Sequence, residues 1–190
     1  EIEYARYPLK FRLTGFYKLY TNLFYNQKNS GKGTARGFEI LLQKDSGWIN
    51  GWISYTYLDS FRIFDGWEYR PPQDRTHSVD IVLKIKPLSW IKLTNEISAS
   101  SGAPTFPVLN TATIVDPDWY YSPPKEEQER LPPVFKWDLK AEFFRNPSLY
   151  IQIINLTSHK NVEAYVYSNG KKIEAYGFPF MAYLGIKWGW

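Results

Sequence analysis

The chain has 190 residues, no cysteine and a formal net charge of +4. Without thiols there is no disulfide framework and no thiolate metal site, and a positive charge this small and dispersed does not indicate nucleic-acid binding. No run of apolar residues is long enough for a membrane-spanning helix. Aromatic residues make up 18% of the chain, and its length predicts one domain, over residues 1–190.

Apolar and polar side chains alternate through most of the chain, and this period of two predicts β-strands, whereas a helical period is nearly absent. In the first strand Leu9, Phe11 and Leu13 alternate with Lys10 and Arg12. Eight strands are predicted, at about 8–25, 34–44, 48–62, 76–86, 90–101, 136–144, 149–156 and 180–190.

The predicted connections alternate in length. Short turns lie at 44–48, 86–90 and 145–148, and longer polar links cover 26–33, 63–75, 102–134 and 157–178. This alternation is typical of outer-membrane barrels, whose periplasmic turns are short and whose outer loops are long. The sequence therefore predicts an all-β, antiparallel, up-and-down transmembrane barrel with both chain termini on the periplasmic side.

Aromatic residues gather at the predicted strand ends, as expected for rings that are half apolar and half polar at a membrane interface. Those beside the short turns are Trp48, Trp90, Phe144, Trp188 and Trp190. Those nearer the opposite rim are Tyr25, Tyr57, Phe61 and Trp137. Two aromatic girdles are predicted.

One face of the predicted sheet is apolar over eight strands, with Asn95 and Asn155 as its only obvious polar members. We expect this face to meet lipid and the charged face to point inward. The predicted inward residues are Lys10, Arg12, Lys18, Glu39, Asp80, Lys84, Lys92, Glu96, Asp138, Lys140, Glu142 and Lys187. A soluble eight-stranded barrel would reverse this orientation, with an apolar centre around a ligand.

Five segments resemble, in family order, successive strands of the C-terminal third of TonB-dependent receptors. They are "GFEILLQKDSGWINGWISYTYLDSFR" (37–62), "DRTHSVDIVLKIKP" (74–87), "SASSGAPTFPV" (98–108), "RLPPVFKWDLKAEFFR" (130–145) and "NLTSHKNVEAYVY" (155–167). The last strand also resembles the C-terminal assembly signal of bacterial barrels. Its signal residues are Ala182, Leu184, Ile186, Trp188 and Trp190.

The resemblance implies energised uptake of a scarce ligand, of the siderophore, cobalamin or oligosaccharide class, and no cofactor. It implies outer-membrane lipid, the barrel-assembly machinery and the rest of a receptor barrel and plug as partners, with TonB acting through that plug. This chain has neither a plug nor a TonB box, and it has eight strands where the family has 22. It is therefore either the last third of a receptor or a free-standing eight-stranded barrel whose outer loops carry a structural or interaction role.

A pore is a third interpretation. It ranks behind the other two, because side chains fill the interior of an eight-stranded barrel and leave no open channel. An open sheet in lipid would leave two unpaired edges, so the chain must close, pair with another chain or belong to something larger.

Two predicted outer loops, "GWEYRPP" and "DPDWYYSPP", carry aromatic rings that could stack on a sugar or siderophore, or simply pack the loops down. The candidate ligand-binding residues are Trp67, Tyr69, Trp119, Tyr120 and Tyr121. The two histidines, His77 and His159, lack ligand spacing, so we expect no metal site. The spacing of polar residues around His77 fits no nucleophile, and no enzymatic activity is expected.

Overall fold

The computed structural model describes residues 1–25, 28–64, 66–105, 128–143, 147–168 and 171–188. Every regular element within these ranges is a β-strand, and every strand pairing is antiparallel. The predicted all-β, antiparallel fold class is confirmed. In the same ranges, no helix is long and apolar enough to cross a membrane.

The strands, in chain order, are β1 (Ile2–Arg6), β2 (Leu9–Tyr25), β3 (Lys28–Lys44), β4 (Ile49–Phe64), β5 (Trp67–Tyr69), β6 (His77–Leu88), β7 (Ile91–Ser100), β8 (Pro104–Thr105), β9 (Glu129–Arg130), β10 (Val134–Phe143), β11 (Ser148–Ile154), β12 (Val162–Ser168), β13 (Lys171–Tyr176) and β14 (Met181–Lys187). The main sheet has the order β1-β2-β3-β4-β6-β7-β10-β11-β14, with β5 paired to β4. Two small two-stranded sheets, β8-β9 and β12-β13, complete the described strands.

All eight predicted strands are present in the main sheet, as β2, β3, β4, β6, β7, β10, β11 and β14. The sequence did not predict β1, β5, the β8-β9 pair or the β12-β13 hairpin, and β3 begins earlier than expected, at Lys28. The first part of β3 reads "KNSGKGTARG", which has no apolar alternation. It is extended because it pairs with both β2 and β4.

The strand β1 places one chain end part-way along the sheet. It pairs antiparallel with β2, and Ile2 lies opposite Leu13. The end of β14 lies beside the short turns, because Lys187 is opposite Ser148, the first residue of β11. The register does not test the side of a membrane, so the periplasmic location of both termini stays a prediction.

Two ends of the sheet are distinguished by their connections. Among the described residues, the short-turn end carries 7–8, 45–48, 89–90 and 147, and the loop end carries 66–76, 101–105, 128–133, 155–168 and 171–180. Among the described strands, β1 and β14 each pair on one side only, so the sheet is open.

The strand register separates the side chains into two faces, because directly opposite residues point to the same side of a sheet. Asp80 is opposite Ser54 and Ser98, and Lys140 is opposite Thr94 and Gln152. All twelve residues predicted to point inward fall on this polar face. One row of the other face runs Phe11, Leu42, Ile53, Ile81, Ile97 and Trp137.

The apolar face has no cover in the described part of the chain. Leu184 is 76% exposed, and Leu42, Leu149 and Ile186 on the same face are also exposed. The buried apolar side chains of the described residues are Ala35, Phe64, Tyr69, Ala103, Leu131 and Val162. The soluble-barrel alternative requires a dry apolar centre, and the exposure of Leu184 does not fit that requirement.

Candidate functional site

Asp74 is the centre of an ionic cluster at the loop end of the sheet, and its side chain is 0% exposed. Its Oδ2 accepts hydrogen bonds from Arg70 Nη1 at 2.9 Å and from Arg130 Nη2 at 2.6 Å. Its Oδ1 accepts from the backbone N–H of Ser60 at 2.9 Å. Arg130 Nη1 also donates to the carbonyl oxygens of Asp74 and Gly102. One carboxylate therefore ties β4 to both of the connections that flank β6 and β7.

The cluster continues outward through Arg70. Its Nη1 also donates to Asp59 Oδ1 at 2.8 Å, and Asp59 Oδ2 accepts from Arg36 Nε at 2.9 Å. Burial lowers the pKa of Arg70, but the hydrogen bonds to Asp59 and Asp74 outweigh it and raise that pKa above its usual value. Arg70 therefore stays charged, and the cluster joins β3, β4 and the two connections.

Sequence reasoning missed this ionic cluster. Asp74 and Arg130 are 56 residues apart, and no local period links positions at that separation. The available signal was weak: an arginine and an aspartate inside polar segments that the sequence predicts as loops. The segment "DRTH" resembles the start of a receptor strand and has no nucleophile spacing, and neither feature indicates an ionic cluster.

Four rings lie together on the apolar face near the loop end. Phe38 packs against Tyr55 and Tyr57, with ring centroids 5.8 and 5.7 Å apart. His77 lies against the same two tyrosines, and its Nδ1 is 2.8 Å from Tyr55 Oη. This aromatic cluster places Tyr57 near the rim where the sequence predicts it.

The structure describes the side chain of only one candidate ligand-binding residue, Tyr69. Its ring is 6% exposed and is stacked on Phe64, with centroids 5.8 Å apart. This packing matches the alternative that loop rings hold the loop down. Trp67 begins β5 opposite Phe64, and Trp119, Tyr120 and Tyr121 lie outside the described residues. Ligand binding by these residues stays a prediction.

Two asparagines fasten the chain after β11. Asn155 is 1% exposed, and its amide donates to the carbonyl oxygens of His159 and Phe178 at 2.9 and 3.0 Å. Its Oδ1 accepts from the N–H of His159 at 3.1 Å. Asn161 exchanges two 2.8 Å hydrogen bonds with the backbone of Phe135. The segment is thereby held to β10 and to the approach to β14.

Replacing Asn155 by alanine is expected to lower the free energy of unfolding by about 2–3 kcal/mol, because three buried hydrogen bonds are lost. Asn155 also has a positive φ of 51°, a conformation that asparagine tolerates better than alanine. The matched control is Asn22→Ala, since Asn22 is exposed and has a φ of 56°. Urea unfolding of the complete protein in detergent, followed by tryptophan fluorescence, measures both. Equal losses would mean that the amide bonds contribute nothing.

A small apolar core joins three segments at the loop end of the sheet. Its members are Ala103, Leu131 and Val162, with Tyr165 packed against them. Gly102 passes so close to the neighbouring segment that a Cβ would be 1.5 Å from the carbonyl oxygen of Leu131. Lys172 pairs with Glu129 at 2.5 Å. The β12-β13 hairpin therefore packs on the β8-β9 pair.

The predicted assembly-signal residues are mostly within β14. Ala182, Leu184 and Ile186 lie on the apolar face, opposite residues of β11. Trp188 follows the strand and is exposed, whereas Trp190 lies outside the described residues. This placement fits a continuous apolar strand, and the role as an assembly signal stays a prediction.

Ion pairs lie on the polar face, both between neighbouring strands and along one strand. Glu142 accepts from Lys92 at 2.7 Å and from Lys140 at 3.2 Å, and Lys10 pairs with Glu3 at 3.1 Å. Within the described ranges, no group of three or more His, Asp and Glu side chains could hold a metal ion.

No protein-family model matches the chain, and no curated protein is similar to it in sequence. One solved structure with a similar fold is the siderophore receptor PiuA from Acinetobacter baumannii, with a TM-score of 0.64 and 15% sequence identity. The likeness covers 94% of this chain and 26% of that receptor chain. This chain therefore spans about a quarter of the receptor's length and shares the fold of that part.

Proposed function

We propose that the chain forms part of the outer-membrane β-barrel of a TonB-dependent receptor, which takes up a scarce ligand of the siderophore, cobalamin or oligosaccharide class. The observation that carries this proposal is the uncovered apolar face of the main sheet, which is backed by a face of paired charges. Soluble monomers rarely expose a continuous apolar surface of this kind, because contact with water is unfavourable. A bilayer on one side and an aqueous lumen on the other satisfy both faces.

The open edges support a larger barrel over a free-standing one. In the described strands, the outer edges of β1 and β14 have no backbone partner. Each unsatisfied N–H or C=O in hydrocarbon costs several kcal/mol, so lipid tolerates no such edge. Further strands that pair with β1 and β14 would remove this cost. The likeness to a quarter of a siderophore receptor supports the same arrangement.

Fractionation and uptake measurements on the complete protein test this proposal. We expect the protein to sediment with outer membranes, to need detergent for extraction and to migrate differently on gels before and after heating. Deleting its gene should reduce uptake of one radiolabelled ligand from a panel of ferric siderophores, cobalamin and oligosaccharides, and depletion of TonB should reduce uptake equally.

Two results would contradict the proposal in different ways. A monomer that stays soluble in water without detergent would remove the membrane barrel. A membrane barrel whose loss changes no uptake would favour the structural or interaction role instead. Re-expression of the gene on a plasmid is the control, because it should restore uptake to the original rate.

A further inference from the structure

Two basic side chains share one row of the apolar face at the short-turn end. The register places Arg6 opposite Leu9, Leu9 opposite Lys44, and Lys44 opposite Gly51. Two strand spacings of about 4.8 Å separate Arg6 from Lys44, so their Cα atoms are about 10 Å apart. Both side chains are long enough for their charged ends to meet at one anion.

Neither cation has a counter-ion within the described ranges, whereas several other basic residues of the main sheet do. Lys10 and Lys92 on the polar face pair with glutamates, and Arg36 at the loop end pairs with Asp59. The carboxylate next to Lys44 in sequence is Asp45, which accepts a hydrogen bond from Gln43 and forms no ion pair with Lys44. An unpaired pair of cations on an apolar face favours an external anion.

A hollow in the apolar face adjoins Lys44, and Gly51 is part of its lining. A Cβ at Gly51 would be 1.9 Å from the carbonyl oxygen of Val82, and the φ of 146° is one that other residues rarely adopt. The backbone therefore requires glycine at this position, and no side chain from it covers the hollow. Its apolar lining comes from Leu9, Leu42, Ile49, Ile53 and Leu83. A hydrocarbon chain fits such a surface.

The cations lie at the depth of a lipid headgroup. Lys44 Nζ is 3.5 Å from the position that a Cβ on Gly47 would take, so the ammonium lies over the 45–48 turn. The exposed aromatic residues Trp48 and Tyr7 lie in neighbouring turns, with exposures of 65% and 82%. Tryptophan and tyrosine favour the membrane–water interface.

We infer that this surface binds an anionic phospholipid, with its phosphate between Arg6 and Lys44 and one acyl chain in the hollow at Gly51. The inference rests on the proposed function, because it requires the apolar face to lie in a bilayer. Arginine and lysine both recognise phosphate by charge-assisted hydrogen bonds. Two positive charges that form no ion pair with a carboxylate favour an anionic over a zwitterionic headgroup.

Native mass spectrometry of the complete protein in detergent tests the site, with phosphatidylglycerol and phosphatidylcholine of identical acyl chains as probes. The original protein should retain phosphatidylglycerol preferentially. The double variant Arg6→Gln/Lys44→Gln should bind it about 20-fold more weakly, because each basic residue contributes at the membrane surface. The matched control, Lys10→Gln/Lys84→Gln, loses the same charge on the polar face and should bind as the original does.

A further variant, Leu42→Trp, keeps both cations and fills the hollow, so it should weaken binding several-fold. Equal retention of both lipids by the original protein would overturn the inference, as would equal losses in the site and control variants. Displacement of the lipid by millimolar inorganic phosphate would also overturn it, by indicating a site for free phosphate. These failures leave the proposed function intact, because none of them bears on whether the protein needs detergent or on whether its loss changes uptake.

Discussion

Replacing Asp74 by alanine is expected to lower the free energy of unfolding by about 3 kcal/mol and to loosen the loop end of the sheet. Removing one member of a buried ion pair leaves its partners uncompensated, and this typically costs 3–5 kcal/mol. The lower value applies here, because Arg70 and Arg130 are 27% and 34% exposed and water screens part of their charge. The N–H of buried Ser60 would also lose its acceptor.

Urea unfolding in detergent and limited proteolysis measure the two expected effects of Asp74→Ala. We expect new cleavage within 66–75 and 128–131, the segments that this carboxylate holds together. The matched control is Asp80→Ala on the polar face, where Asp80 accepts one hydrogen bond from Ser98 Oγ at 2.6 Å. It should lose about 1 kcal/mol and gain no cleavage in those segments. Similar losses in both variants would show that the ionic cluster is not a structural centre.

Replacing Ile81 by lysine is expected to destabilise the protein in a bilayer by about 2–4 kcal/mol, the usual cost of a lysine on the lipid side of a barrel near the midplane. Ile81 lies in the middle of β6, on the apolar face, between Ile53 and Ile97. The neighbouring position provides the matched control. Val82 points to the polar face and lies opposite Glu96, so Val82→Lys adds the same charge beside a carboxylate and should cost little.

Reversible folding of the complete protein into phospholipid vesicles, followed by tryptophan fluorescence over a urea series, measures this difference. The comparison tests the orientation of the whole sheet, because the two positions differ by one residue and by face alone. If Val82→Lys proved the more damaging variant, the apolar face would be the protein interior and the charged face would meet the surroundings. The proposed membrane barrel would then be wrong.

The sequence by itself determined eight of the ten strands of the main sheet, together with its two faces. Both follow from local chemistry, since alternation has a period of two and glycine, proline and asparagine mark the turns. In β6 the polar residues alternate with apolar ones. The apolar residues are Val79, Ile81 and Leu83, and the polar residues are Ser78, Asp80 and Lys84. This alternation can be recognised without knowing which strands pair with β6. The register of the sheet places these residues on the predicted faces.

The tertiary structure alone decided the contacts between segments far apart in the chain. The sequence placed Asn155 at a strand end, but only the fold shows that its amide reaches His159 and Phe178. The joining of Asp74 to Arg130 and the packing of Leu131 on Ala103 likewise depend on how the connections fold over the sheet. No local pattern encodes such pairs, because their free energy arises only when both segments are already ordered.

The edges of the sheet likewise depend on the tertiary structure. A short segment such as β1 carries little alternation of its own, and it becomes a strand because β2 offers it a row of backbone hydrogen bonds. Whether β1 and β14 meet depends on the number, tilt and stagger of all the strands, which are properties of the complete sheet. The sequence therefore determined which side chains share the apolar face, whereas the three-dimensional structure decided that the sheet of described strands is open.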